Sequence, residues 1–154
     1  MKPKKSTVLC CALALAIILL TACNFSTNKS YTFDVETGDK IKVALDTSSG
    51  LSLSQKDGQF SVTEDDENIL QCIFITEETY NQYVKIKGQQ GMTVLEESKK
   101  DGNPYYMYEF EGEAGTEDNF ILWVDDSNTG VILASLAGEE KAKKAFEKLV
   151  ISKE

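Results

Sequence analysis

The sequence predicts an α+β domain: a mostly antiparallel sheet flanked by a mid-chain helix and a C-terminal amphipathic helix. Three observations carry that prediction. Short runs of alternating or continuous apolar residues, separated by turn signals, fill most of residues 31–137. Two stretches, opening near Thr76 and near Glu139, switch to helical spacing. Strands that follow one another through short turns pair antiparallel, and helices then cover the apolar faces of the sheet.

Taken in order, Tyr31-Thr32-Phe33-Asp34-Val35 alternates, Thr37-Gly38-Asp39 turns the chain, and Ile41 to Leu45 alternates again. Leu51 to Leu53 and Phe60 to Val62 flank Lys56-Asp57-Gly58, a hairpin signal. After the polar break Asp65 to Asn68, the run Ile69 to Ile75 is apolar on both faces except at Gln71, as an interior strand should be. Thr76 is suited to cap a helix, with Glu77 and Glu78 in its first turn. Tyr80, Tyr83 and Val84 share a face of that helix, and Gly88 and Gly91 end it. Four strands follow, in Met92 to Leu95, Tyr105 to Glu111, Phe120 to Val124 and Val131 to Ala137. Lys100 to Pro104 and Asp126 to Gly130 supply turns between them. Last, Ala142, Ala145, Phe146, Leu149 and Val150 recur at helical spacing, with lysines opposite.

The N-terminus reads differently. Lys2, Lys4 and Lys5 precede an unbroken apolar or small run from Val8 to Leu20. A positive start followed by a short apolar stretch is the layout of a secretory signal. The run is short for a permanent span, which needs about 20 apolar residues. Leu20-Thr21-Ala22-Cys23 then closes the segment. This resembles the lipobox of bacterial lipoproteins: a branched aliphatic residue, two small residues and a cysteine. The resemblance implies diacylglycerol transfer to the Cys23 thiol, cleavage before it, and acyl anchoring to the outer, extracytoplasmic face of the cell membrane. Two or more chains are physically sensible, because one acyl chain binds a membrane only marginally.

On that reading, residues 1–22 are the signal, residues 23–30 are the lipidated cysteine and a short tether, and residues 31–154 are one globular domain. A tether from Asn24 to Ser30 reaches at most about 25 Å when fully extended, so the domain would work close to the lipid surface. Loss of residues 1–22 removes three lysines and no acid, leaving 13 lysines against 25 carboxylates and a net charge of −12. Such a body is repelled by nucleic-acid phosphate, which argues against a nucleic-acid partner. Lys141, Lys144 and Lys148 form the natural positive side to face an anionic membrane. Cys10 and Cys11 leave with the signal, and lipid occupies Cys23. Cys72 is then alone, and no internal disulfide is available.

The inventory for catalysis is poor. The chain has no histidine and no arginine. It therefore lacks the usual general base near neutral pH, any triad built on histidine, and the bidentate clamp for phosphate. No glycine-rich phosphate loop occurs, and the sequence points to no cofactor and no metal site. Two acidic segments, Glu64-Asp65-Asp66-Glu67 and Asp125-Asp126-Ser127-Asn128, are rich in oxygen ligands. Neither has the alternation of a calcium loop, and both read as solvated turns. Cys72, set in an apolar strand, reads as a core residue. Tyr105, Tyr106, Tyr108, Phe110 and Trp123 read first as core and cross-strand pairs. They are also the one feature that hints at a binding surface.

Strands, one mid-chain helix, a meander and a final helix over Glu140 to Val150 also resemble, in order of elements, the PsbP-like α/β/α sandwich. Many members of that group are accessory or binding modules, and no functional residue carries over. The expectation is a lipid-anchored, non-catalytic domain that binds a protein, peptide or envelope component. The alternatives are a carboxylate-dependent envelope hydrolase and an immunity-type lipoprotein. A deep cleft with two close carboxylates would favour the hydrolase, and an exposed aromatic patch would favour binding.

Overall fold

Two-residue turns set the topology. In the computed structural model, which describes residues 27–89 and 91–154, β1 (Asn28–Asp34) and β2 (Lys40–Asp46) form the first hairpin. The next strands are β3 (Leu51–Lys56), β4 (Gln59–Glu64) and β5 (Glu67–Thr76). The β3–β4 turn is Asp57-Gly58, with φ of 51° and 75°, and the β4–β5 turn is Asp65-Asp66, with φ of 48° and 66°. Positive φ at both central residues matches the right-handed twist of the flanking strands, and Asp and Gly tolerate it best. Helix α1 (Glu77–Ile86) follows directly on β5, and its cap is the Thr76 hydroxyl, which accepts the Thr79 N–H at 3.4 Å. Gly88, with φ of 74°, lets the chain leave the helix.

The second half is a meander: β6 (Met92–Lys100), β7 (Asn103–Gly112), β8 (Gly115–Trp123) and β9 (Thr129–Ser135). Asp101-Gly102, with φ of 53° and 90°, makes the β6–β7 turn. Helix α2 (Glu139–Lys148) and β10 (Leu149–Lys153) complete the chain. The strands form two sheets, a small one in the order β1-β2-β10 and a large one in the order β3-β4-β5-β9-β8-β7-β6, and all the pairings are antiparallel. The prediction of a mostly antiparallel α+β domain with two helices holds.

Three expectations change. The final helix stops at Lys148, and Leu149 and Val150 belong to β10 rather than to the helical stripe. Leu149 and Ile151 are buried while Val150 is exposed, an alternation of period two that β-branched Val150 and Ile151 fit better than a helix. Second, one sheet was expected, but β10 pairs with β2 to build a separate small sheet. Third, the first strand opens at Asn28 instead of Tyr31. Asn28, Lys29 and Ser30 are polar and exposed, so no apolar pattern announces them, yet they pair with Asp46, Leu45 and Ala44.

The main core lies between the inner face of the large sheet and the layer made by the small sheet with α2. It gathers Ile41, Val43, Leu45, Leu70, Met107, Phe120, Leu122, Leu133 and Phe146, among others. Phe146 of α2 stacks on Phe120 of β8 with ring centroids 4.2 Å apart and planes at 17°. A smaller cluster on the opposite face of the large sheet contains Ile75, Tyr106, Tyr108, Ile121 and Ile132, and Tyr80 and Tyr83 of α1 pack on it.

Two polar side chains lock the small sheet to the large one. Asn103, at the start of β7 and 3% exposed, donates to the Ile151 carbonyl of β10 at 2.7 Å and accepts the Asp125 N–H at 2.8 Å. Asp39, just before β2, accepts the Asn128 N–H at 2.7 Å and the Thr129 hydroxyl at 2.9 Å, and pairs with Lys153 at 3.0 Å. The Asn128 N–H and the Lys153 ammonium stabilise the ionised form and hold the Asp39 carboxyl at about 2, below its ordinary 3.8. A buried carboxylate is tolerable here because its oxygens are met by donors from two elements.

Candidate functional site

The residues singled out from sequence separate into structural and surface roles. The aromatic group divides between the two faces of the large sheet, because successive residues of β7 point to opposite sides. Tyr105 turns inward, with its ring centroid 4.8 Å from that of Phe146, and its hydroxyl donates to Glu96. Burial and the neighbouring Glu96 carboxylate push its pKa up to about 12. Tyr106 and Tyr108 turn outward beneath α1, while Phe110, on the same face, is exposed. Trp123, at the end of β8, lies against Tyr80 of α1, with centroids 5.0 Å apart and planes at 52°.

This outer face carries the candidate site. Helix α1 has no fully buried residue, and Val84 and Ile86 remain exposed, so it covers the sheet incompletely. Two cavities open along it, of about 350 and 370 Å³. The first is lined by Glu77, Tyr80, Asn81, Pro104 and Trp123. The second shares Tyr80 and Pro104 with it and extends to Lys87, Glu97 and Tyr106. Because they share two walls, they form one groove with an aromatic floor and a polar rim. Lys87 is paired with Glu97 at 2.5 Å and lies over the Tyr106 ring at 5.4 Å. Tyr106 is 3% exposed, burial raises its pKa, and its hydroxyl has no hydrogen-bond partner among the described residues. An orphaned buried hydroxyl is costly, and among the described residues Tyr106 shares this state with Ser49 Oγ and Asp118 Oδ1, neither of which lines the groove.

The other sequence candidates are accounted for locally. Asp65 and Asp66 form the β4–β5 turn, while Glu64 and Glu67 pair with Lys144 and Lys141 of α2. In the second acidic segment, Ser127 donates to the Val124 carbonyl at 2.8 Å and the Asp126 carbonyl accepts from Lys153 at 3.0 Å. Among the described residues, no group of three or more Cys, Asp or Glu side chains is arranged to hold a metal. Lys148 pairs with Asp46 at 3.0 Å, so Lys141, Lys144 and Lys148 each face a carboxylate of their own chain. These partners offset the charge that was expected to turn toward a membrane. Cys72 is buried in the main core, and burial raises its thiol pKa well above the ordinary value. Cys23 and the preceding signal-like segment lie outside the described residues.

One close carboxylate pair escaped sequence reading. Asp118 of β8 and Glu109 of β7 are cross-strand partners. Burial, then Glu109 and Glu139, raise the Asp118 pKa. Asp118 is only 3% exposed on the inner face, and neither carboxylate lines the groove under α1. Glu77 and Asn81 of the groove rim also gave no signal, since on sequence they are ordinary first-turn and exposed helix residues. Compared with protein-family models and with curated proteins, the chain matches none. Among the described residues, no helix is long and apolar enough to cross a membrane.

Proposed function

We propose that this protein is a lipid-anchored, non-catalytic binding domain at the outer face of a bacterial cell membrane. The observation that carries the reading is Leu20-Thr21-Ala22-Cys23 at the end of a basic and then apolar N-terminus. Acyl chains on Cys23 supply the membrane contact, and the body supplies the binding surface. Because β1 opens at Asn28 and the Thr27 carbonyl accepts from Thr47, only residues 24–26 separate Cys23 from the described fold, a stretch of at most about 10 Å. With a screening length of ~8 Å at physiological salt, comparable to that stretch, only the near side of a domain of charge −12 feels the field of the lipid surface.

Binding is favoured over hydrolysis by the placement of the carboxylates. The groove presents aromatic surface, and of its two carboxylates, Glu77 and Glu97, the second is tied to Lys87, whereas the cross-strand pair Asp118 and Glu109 sits on the other face, with Asp118 shut from solvent. A glycosidase needs its two carboxyl groups flanking an accessible bond. We also read the layering as that of a PsbP-like sandwich, with α1 on the outer face of the large sheet and α2 on the inner face beside the small sheet. The added β10 departs from a purely helical C-terminus. That likeness favours an accessory or binding role.

The test is fractionation of the native cells. The wild-type protein should follow the membrane and leave it only with detergent, and the Cys23→Ser protein should be released or mislocalised. Equal membrane retention of both would refute the anchor. Crosslinking of the lipidated protein in the same cells, followed by identification of what is captured, addresses the partner.

A further inference from the structure

We infer that the groove under α1 is a saccharide site, taking two or more neutral pyranose rings of an envelope glycan. The inference names a ligand class for the binding domain proposed above and relies on that reading only for where the ligand is met.

The first cavity has the makings of a sugar subsite. Trp123, Tyr80 and Pro104 offer a rigid apolar floor against which the apolar face of a pyranose can lie. Glu77 and Asn81 stand one helical turn apart on α1, hence on one face of it, and both are exposed. A carboxylate accepts and an amide both donates and accepts, which suits the mixed hydrogen bonding of neighbouring hydroxyls. Mostly apolar walls with a few polar groups are the usual make-up of small-ligand sites.

The second cavity continues the groove past the shared Tyr80 and Pro104, so a further ring would meet Tyr106, Ser98 and the Lys87–Glu97 pair. Here lies the Tyr106 hydroxyl, buried and without a partner among the described residues, which a ligand hydroxyl would satisfy. Charge decides against an ionic ligand. The two cavities are lined by Glu77 and Glu97 against Lys87 and Lys99, a balance of zero on a body whose net charge is strongly negative. A neutral, hydroxyl-rich ligand with one apolar face fits this combination better than an anion, a cation or an unbroken apolar chain.

Trp123 is the only tryptophan of the chain, so its emission reports this groove alone. The experiment titrates the detergent-solubilised full chain separately with chitotetraose, cellotetraose and maltotetraose. At least one should produce a saturable change in Trp123 emission. Glu77→Gln, an exposed change that spares the fold, should weaken that binding about tenfold, or roughly 1.4 kcal/mol. Tyr106→Phe should weaken it severalfold without lowering the thermal midpoint, because it removes a hydroxyl that has no partner among the described residues of the free protein. No saturable change with any of the three sugars, or a change that both variants leave intact, overturns the inference. So does saturable binding of a neutral apolar peptide alone. The titration does not involve the anchor, so its failure leaves Cys23 untouched, and a failure at Cys23 leaves the titration untouched.

Discussion

Replacing Asn103 by alanine should release β10 from the large sheet at a cost that the structure lets one work out. The amide makes two hydrogen bonds, to the Ile151 carbonyl at 2.7 Å and from the Asp125 N–H at 2.8 Å, from a side chain that is 3% exposed. Truncation removes both. Asp125 is exposed, so water can replace its partner and the loss there is about 1 kcal/mol. Ile151 is buried, so its carbonyl is left unsatisfied at about 1–3 kcal/mol. The sum is about 3 kcal/mol, which for a domain of this size lowers the thermal midpoint by roughly 10 °C. Urea unfolding followed by circular dichroism would measure it, with Asn103→Asp as a second variant. The aspartate keeps the acceptor for Asp125 but sets an oxygen against the Ile151 carbonyl, so it should rescue nothing. Amide hydrogen exchange in β10 should quicken in both. A loss below about 1 kcal/mol, or unchanged exchange in β10, would refute the argument that this amide ties the two sheets together.

Asp39 gives a pH dependence. Its folded pKa lies near 2, below the ordinary 3.8, so its stabilising effect is complete above about pH 4 and is lost as the pH falls toward 2. Asp39→Asn should flatten the fall of the urea midpoint across that window, and parallel wild-type and variant curves would contradict it. Phe146→Ala, which removes a ring stacked on Phe120 in the main core, should cost about 3–5 kcal/mol by the same urea measurement. Cys72 of the processed protein should resist a thiol reagent in the native state and react once urea unfolds the chain. Labelling at the rate of a free thiol would place it outside the core.

The features that were legible in the sequence are those written in local chemistry. Asp57-Gly58 and Asp101-Gly102 announce hairpins because few other residues accept their backbone angles. Thr76 with two following glutamates announces a helix start. What could not be read depends on partners far away in the chain. Leu149 and Val150 satisfy a helical stripe as well as a strand, and only pairing with Leu45 and Ala44 of β2 decides for the strand. Asp39 looks like any turn aspartate until the β8–β9 turn meets it some 90 residues later. The groove is of the same kind. Trp123, Pro104 and Glu77 are distant in sequence, and the packing of α1 on the sheet brings them together. The period of two along Tyr105 to Glu111 makes the split of its aromatic residues between two faces legible, with Tyr106, Tyr108 and Phe110 on one side and Tyr105 on the other, but not which of those faces α1 covers.

Cys23 decides whether this protein is lipid-anchored. Mass spectrometry of the protein extracted from its native membrane should find an N-terminal peptide that begins at Cys23 and carries diacylglycerol on the thiol. A peptide that retains residues 1–22, or one that begins elsewhere with an unmodified Cys23, would contradict it.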